Sequence, residues 1–347
     1  IRPAAASTAP QITQQPANQT VPVGASATFS VAATGTAPLS YQWQKNNVNI
    51  AGATASSYQT PATALADNNT TYRAVVTNAV GTATSNAATL LVTGGSQGIG
   101  KAISLALARC GAAVCIADVD AINGEDAAAQ IRAMRLSALA IQVDVTNAGQ
   151  VDEMAKRAIG AYGRVDVLVN NAGGASGPTF GIGRTLKITE RDWDDTITVN
   201  LKSVFLCTRA VGKIMLEQKC GSIINMASIT GQFPWAGLPA YSASKAAVIN
   251  YTRSLAMELA PHVRVNAIAP GLIETARTSK NRRAGQLERL LTNVPLRRMG
   301  TPEEVADIAV YLASDAAEWI TGTIVDVNGG QVWMSEGGHP NFRDADM

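Results

Sequence analysis

Between Leu90 and Asp118 the chain strings together a short apolar run, a glycine-rich turn, a helix pattern and a second apolar run ending in a carboxylate. Leu90-Leu-Val-Thr-Gly-Gly-Ser-Gln-Gly-Ile-Gly100 supplies the first strand and the turn, and Lys101-Ala-Ile-Ser-Leu-Ala-Leu-Ala-Arg109 the helix. Ala112-Ala-Val-Cys-Ile-Ala-Asp118 reads as a second buried strand. Few folds accept that order, because two such strands joined by a crossover helix build a parallel sheet with both faces covered. Glycines permit the tight turn and let backbone approach a diphosphate, whose charge is favoured at the helix N-terminus. Asp118 lies 18 residues past Gly100, about where such a unit places the acid that bonds the adenosine ribose hydroxyls. A glycine-rich turn alone is a weak signal. The whole ordered set is a strong one.

Further along, Tyr241-Ser-Ala-Ser-Lys245 puts a phenol and an ammonium four residues apart, just after Pro239 and within a run of helix formers. On a helix those positions share one face. Two unit charges about 4 Å apart interact by roughly 4 kcal/mol at an effective dielectric near 20. That is at most about three pKa units, so the lysine is expected to draw the phenol from about 10 towards neutrality. A phenol tuned in this way exchanges a proton with a carbonyl or an alcohol at cellular pH. Spacing is not sufficient, and the chain contains its own control. Tyr41 and Lys45 have the same interval, but in a segment that reads as a strand, where a rise of about 3.3 Å per residue separates them by roughly 13 Å.

Taken together, residues of about 90–333 resemble the short-chain dehydrogenase/reductase family. Thr93-Gly94-Gly95-Ser96-Gln97-Gly98-Ile99-Gly100 fits its cofactor turn, and Asn170-Asn171-Ala172-Gly173 its central-strand motif. Asp144-Val145 matches the pair near adenine, and Pro270-Gly271 with Ile273 and Thr275 the segment beside the nicotinamide. Asn200, Ser228, Tyr241 and Lys245 fall at the family's catalytic spacing, and Trp319 to Gly330 looks like its last strand and turn. The resemblance implies a doubly wound parallel Rossmann sheet and an NAD-dependent oxidoreductase interconverting a ketone and a secondary alcohol. In it Ser228 bonds the substrate oxygen, Tyr241 is the general acid/base, Lys245 tunes it and bonds the nicotinamide ribose, and Asn200 holds a water of the proton path. Asp118 would repel a 2′-phosphate and accept from a 2′-hydroxyl; Gln97, Val119 and Asp120 add no cation. NAD is therefore expected over NADP. The resemblance also implies assembly to a homo-tetramer or dimer through helices near 196–217 and 241–259.

Residues 1–88 differ in character. From Ile1 to Leu90 there are four charged side chains, Arg2, Lys45, Asp67 and Arg73, and the remainder carries equal numbers of acidic and basic groups. The net charge of +2 therefore sits wholly in the first segment. Alternating runs such as Ala27-Thr-Phe-Ser-Val31, Ser40-Tyr-Gln-Trp43 and Thr71-Tyr-Arg-Ala-Val-Val76, separated by Gly, Pro and Asn clusters, suggest an antiparallel β-sandwich. Gly24, Val31, Trp43, Asp67, Tyr72 and Asn78-Ala-Val-Gly81 resemble bacterial immunoglobulin-like domains, with Trp43 as core tryptophan and Tyr72 as corner tyrosine. Val31 and Ala74 stand where that family carries its disulfide, so this core must hold by packing. The resemblance implies adhesion, ligand binding or a spacer. The two resemblances compete for residues 88–93, which both would use as a strand. A strand paired on both edges and covered on both faces is the costlier to lose, so 89–347 are assigned to the dehydrogenase and a truncated strand near 82–87 to the sandwich.

Apolar content of 46% supplies two sizeable cores, and no window approaches the twenty apolar residues of a membrane span. Ile1 in place of Met is compatible with a removed leader. Cys110, Cys115, Cys207 and Cys220 read as reduced, and neither they nor His262 and His339 show metal-ligand spacing. A nicotinamide cofactor implies a cytoplasmic location. The basic run Arg277-Thr-Ser-Lys-Asn-Arg-Arg283 follows the nicotinamide segment, where the family carries a substrate lid, and without an aromatic platform it does not suggest nucleic acid. Phe180, Phe233, Pro234 and Trp235, with the loop from Gly174 to Gly183, are candidate pocket walls for a moderately apolar ketone or secondary alcohol. The alternative reading is a non-catalytic NAD-binding scaffold whose immunoglobulin-like part binds a partner.

Overall fold

The computed structural model describes residues 7–14, 16, 24–45, 48–64, 72–84, 89–175, 177, 181–233, 235–280 and 286–331. Two compact units divide the chain.

The first unit is all β and antiparallel. Its strands are β1 (Gln11–Gln14), β2 (Thr28–Ser30), β3 (Ala32–Thr34), β4 (Ser40–Lys45), β5 (Val48–Asn49), β6 (Ser57–Gln59), β7 (Tyr72–Thr77) and β8 (Thr82–Thr84). They pair as a four-stranded sheet of order β5-β4-β7-β8 and as the pairs β1-β3 and β2-β6. Alternation along β4 and β7 turns Trp43, Ala74 and Val76 inward, and all three are fully buried. Phe29, Val31, Trp43 and Ala74 belong to one apolar cluster, so the two positions of the absent bridge are packed by side chains. The Phe29 ring stacks on Tyr72 at 4.7 Å between centroids, and Trp43 Nε1 donates to the Ala55 carbonyl at 2.9 Å. Tyr41 and Lys45 lie in β4, an extended strand, as their context suggested. Asp67 lies outside the described residues.

The second unit is a seven-stranded sheet of order β11-β10-β9-β12-β13-β14-β15, with every pairing parallel. Its strands are β9 (Thr89–Thr93), β10 (Ala113–Asp118), β11 (Ala138–Gln142), β12 (Val167–Asn170), β13 (Gly221–Met226), β14 (Val263–Pro270) and β15 (Ile324–Val327). Helices α1 (Gly98–Arg109), α2 (Ala121–Ala133), α3 (Ala148–Tyr162), α4 (Glu190–Ile197), α5 (Ser203–Gln218), α6 (Pro239–Glu258), α7 (Ala276–Lys280), α8 (Gln286–Leu291) and α9 (Pro302–Ala313) alternate with the strands. All five residues of β9 are buried, as befits a strand paired on both edges: Val92 is level with Ile116 of β10 and Val169 of β12. Strand order reverses between β9 and β12, and the crevice beyond the carboxyl ends there is where open parallel sheets bind ligands.

Burial pushes the thiols of Cys115 and Cys207 up to about 12, and none of the four cysteines forms a disulfide. Among the described residues, no helix is long and apolar enough to cross a membrane.

Candidate active site

At the switch point the glycine turn is held against β12 by side chains from both motifs. Asn171 Nδ2 donates to the carbonyls of Thr93 and Gly94 at 3.1 and 3.0 Å. The Thr93 hydroxyl accepts from the backbone N–H groups of Asn171 and Ala172 at 3.0 and 3.2 Å. The close approach requires glycine. A Cβ at Gly94, whose φ is +61°, would lie 2.9 Å from Ala172 Cα, and one at Gly100 only 2.0 Å from the Gly94 carbonyl oxygen. Gln97 is exposed and Ile99 half-buried at the start of α1.

Asp118 closes one end of this crevice from the tip of β10. Its Oδ2 accepts from the Ser96 backbone N–H at 3.2 Å and from the Ser96 hydroxyl at 2.5 Å, and its Oδ1 from the Asp120 N–H at 3.1 Å. Val119 beside it is exposed. Asp144 Oδ1 caps its own turn through Thr146, and Val145 is buried. On the far side Pro270 ends β14, Gly271 packs so closely on Asn328 that a Cβ would meet Asn328 Cα at 2.8 Å, and Ile273 is buried. This segment brings the Thr275 methyl to 3.4 Å from where a Gly98 Cβ would be. A bare-backbone cradle, a helix N-terminus and a carboxylate at its rim fit a dinucleotide, with Gly94, Ser96, Gly98, Asp118 and Thr275 as the groups that would hold it.

Sequence-distant groups converge at the other end of the crevice. Ser228 follows β13 with φ −168° and ψ 154°, and its Oγ accepts from both the Thr230 N–H and the Thr230 hydroxyl. Tyr241 and Lys245 lie one turn apart on α6, with Lys245 Nζ 5.6 Å from the phenol ring centroid. Lys245 is 3% exposed, and its Nζ donates to the Met226 carbonyl at 2.8 Å. Asn200 sits in a π turn (Thr198–Lys202) between α4 and α5, the kind of bulge often found at functional sites. Its Oδ1 accepts from Gly174 N–H at 3.0 Å, and its Nδ2 donates to the carbonyls of Gly174 and Thr196. The Asn200 amide thus clamps the chain just beyond Gly173, where a Cβ would lie 2.5 Å from Asn200 Oδ1 and 3.7 Å from Lys245 Nζ.

The electrostatics differ from the expectation that lysine acidifies tyrosine. Burial raises the Tyr241 phenol above its ordinary value, and the Ser228 hydroxyl and then the charge of Arg277 pull it partly back. Lysine is the group that yields. Burial, helped by Arg277, lowers Lys245 to about 7, because one carbonyl does not replace the hydration of an ammonium. Arg277 is the residue that sequence reasoning treated only as lid charge. It stands two positions past Thr275, and both of its terminal nitrogens are 3.3 Å from the Gly173 carbonyl oxygen. A small cavity opens beside Tyr241, walled by Ala175, Ile188, Leu238 and Pro239 with Asp192 and Thr196. It is not walled by Phe233 or Trp235, because the chain after Gly181 and α4 cover the phenol instead; Phe180 and Pro234 lie outside the described residues.

A family model described as enoyl-(acyl carrier protein) reductase matches residues 94–331. The chain is 45% identical over 245 residues to a 3-oxoacyl-[acyl-carrier-protein] reductase of Synechocystis sp., which covers 70% of this chain and 96% of that protein. The chain belongs to the short-chain dehydrogenase/reductase family. Another member, the BbsD subunit of (2S)-[(R)-hydroxy(phenyl)methyl]succinyl-CoA dehydrogenase from Thauera aromatica, is 40% identical over 242 residues, 70% of this chain and 95% of that one. Among solved structures of the family, a 7α-hydroxysteroid dehydrogenase complexed with NADH and 7-oxo glycochenodeoxycholic acid superposes with a TM-score of 0.68 at 30% identity, covering 72% of this chain and 96% of that one. Ahead of the dehydrogenase/reductase part, an immunoglobulin I-set domain model matches residues 10–92. That match reaches into β9, which the parallel sheet uses on both edges.

Proposed function

We propose that this dehydrogenase/reductase interconverts a ketone and a secondary alcohol with NAD(H), Tyr241 exchanging the proton. The observation that carries the reading is the convergence of Ser228, Tyr241 and Lys245 at one end of a glycine-walled crevice whose other end is Asp118. A bound nicotinamide cofactor would supply or take the hydride. In the reducing direction, the Ser228 hydroxyl donates to the carbonyl oxygen and Tyr241 delivers its proton to the same atom as negative charge builds there. In the oxidising direction the phenolate takes the alcohol proton. Lys245, titrating at about 7, is cationic part of the time at neutrality, and each protonation favours that phenolate. Asn200 acts through the backbone by fixing residues 173–174 beside Lys245. The names of two relatives, a 3-oxoacyl-[acyl-carrier-protein] reductase and a (2S)-[(R)-hydroxy(phenyl)methyl]succinyl-CoA dehydrogenase subunit, describe an oxo group reduced and a secondary alcohol oxidised, which supports the reading.

Asp118 supports NAD over NADP, since a 2′-phosphate would meet a carboxylate already fixed by two bonds from Ser96. We further assign residues 1–88 to the immunoglobulin-like unit and 89–347 to the catalytic one, with a cytoplasmic site of action. Half-exposed Phe205 on α5 and exposed Met257 on α6 are apolar groups on the helices through which a dimer or tetramer would form. NADH oxidation by a panel of ketones, with the Tyr241→Phe variant beside wild type, tests the reading. Turnover lost in the variant supports it, and equal rates favour a cofactor-binding scaffold.

A further inference from the structure

One cation at the site touches none of the proton-exchanging side chains, though its charge acts on Tyr241 and Lys245. The Arg277 guanidinium lies over Gly174 so closely that a Cβ there would meet Nη1, while the preceding residue, Gly173, faces Asn200 and the Lys245 ammonium. Gly173 and Gly174 thus carry contacts to Lys245 on one residue and to the guanidinium on the next. Among the described residues no carboxylate pairs with Arg277. Its fork of N–H donors reaches a single carbonyl oxygen, that of Gly173, and at 3.3 Å these are long bonds for a charged donor. The cavity beside Tyr241 has the apolar walls Ile188 and Leu238 with Asp192 and Thr196 among them, and Ala175, directly after Gly174, also lines it. A ketone held between Ser228 and Tyr241 with one substituent against those walls would have the guanidinium, which lies over Gly174, next to the wall at Ala175. A planar fork with unfilled donors matches a carboxylate in two parallel hydrogen bonds.

Resting on the ketone–alcohol reading above, we propose that Arg277 is a specificity-determining residue that selects substrates carrying a carboxylate near the reacting carbonyl, an oxo acid and its hydroxy acid. The electrostatics agree with this. Arg277 helps to push Lys245 towards its neutral form, and an anion on the guanidinium removes that push, restoring the ammonium beside Tyr241 when substrate is present.

The test is steady-state kinetics of the full chain with NADH on matched pairs, 3-oxobutanoate and 4-oxopentanoate each beside its methyl ester, for wild type, Arg277→Ala and Arg277→Lys. NADH affinity is followed separately by fluorescence titration. The wild type is expected to prefer acid over ester in kcat/KM by about tenfold or more, the worth of a charge-assisted hydrogen bond. Arg277→Ala should erase that preference, the acid losing about tenfold or more in kcat/KM relative to its own ester whatever the change common to both, with NADH affinity within about twofold, and Arg277→Lys should keep part of it, because a point charge replaces the fork. An acid-to-ester ratio unchanged in Arg277→Ala overturns the proposal. So does a loss of NADH affinity with the ratio intact, which would assign the guanidinium to the cofactor's diphosphate. Equal use of acids and esters by the wild type overturns it while leaving the ketone–alcohol reading standing, whereas no turnover of any member removes both.

Discussion

Lys245 shows how one residue can be right in the sequence and different in its physics. Its position beside Tyr241 on α6 was legible from a four-residue interval and a helix pattern, but its burial was not, since that depends on strands and turns far away in the chain. With a folded pKa of about 7 against an ordinary 10.5, the folded state binds fewer protons than the unfolded one between those values. Stability therefore rises with pH across that window, by at most about 1.4 kcal/mol per pH unit, and the contribution is flat below about 7, where both states hold the proton. Lys245→Met removes the group, so its stability relative to wild type should be greatest near pH 6 and decline steadily towards pH 10. Urea unfolding at several pH values measures this, and parallel curves for the two proteins would contradict it. Asp118 makes a second residue-scale prediction. Asp118→Ala should raise kcat/KM for NADPH relative to NADH by about tenfold or more, because it removes both the repulsion of a 2′-phosphate and the acceptor for a 2′-hydroxyl; an unchanged ratio would speak against NAD preference set at this position. Arg277 was invisible as a site residue for the reason that hid the burial of Lys245: nothing in a basic run tells which of its members folds back over Gly173.

At the scale of elements, the strand, turn, helix and strand from Leu90 to Asp118 could be read directly because each has its own local signature: a β-rich apolar run, glycines, a helical period, a terminal acid. The structure adds the reason for the glycines. Gly100 has no Cβ because the Gly94 carbonyl oxygen occupies its place, and the obstacle is backbone that Asn171 also holds. Gly100→Ala should therefore destabilise the protein by roughly 1–3 kcal/mol and weaken NADH binding together with it, as read by thermal unfolding and fluorescence titration. A variant with unchanged melting temperature and affinity would show that the turn has slack that the geometry denies. The π turn carrying Asn200 had no such signature, since Thr198-Val-Asn-Leu-Lys202 reads as uninterrupted helix. The bulge shows only in the structure, which also shows Asn200 clamping Gly174. Tyr41 and Lys45 make the complementary point: the same spacing as Tyr241 and Lys245 is laid out along the extended strand β4 rather than on one turn of a helix.

For the whole molecule, the instructive stretch is Thr89–Thr93, which two families claim and one sheet uses. In the structure it is an interior strand, third of seven, buried throughout and hydrogen-bonded on both edges, whereas β8 of the first unit spans Thr82–Thr84. Local pattern alone does not decide this, because the apolar run Thr89-Leu-Leu-Val-Thr93 suits the last strand of a sandwich and the first strand of a parallel sheet; the cost of losing a doubly paired strand is what assigns it to the parallel sheet. A chain beginning at Thr89 should retain cofactor binding and turnover, while one beginning at Gly94 should lose both, since removing the central strand unpairs β10 and β12 together. Activity that survives the longer truncation would place the boundary elsewhere. The central claim is narrower than the architecture: a phenol at the end of a dinucleotide crevice completes a hydride transfer. The most direct check is to supply a ketone with NADH deuterated at the transferable position and weigh the product. One deuterium on the carbinol carbon for each NADH consumed, with product formation falling by about a hundredfold or more in Tyr241→Phe, is the expected result. Product without the label, or formed equally fast without the phenolic hydroxyl, would contradict it.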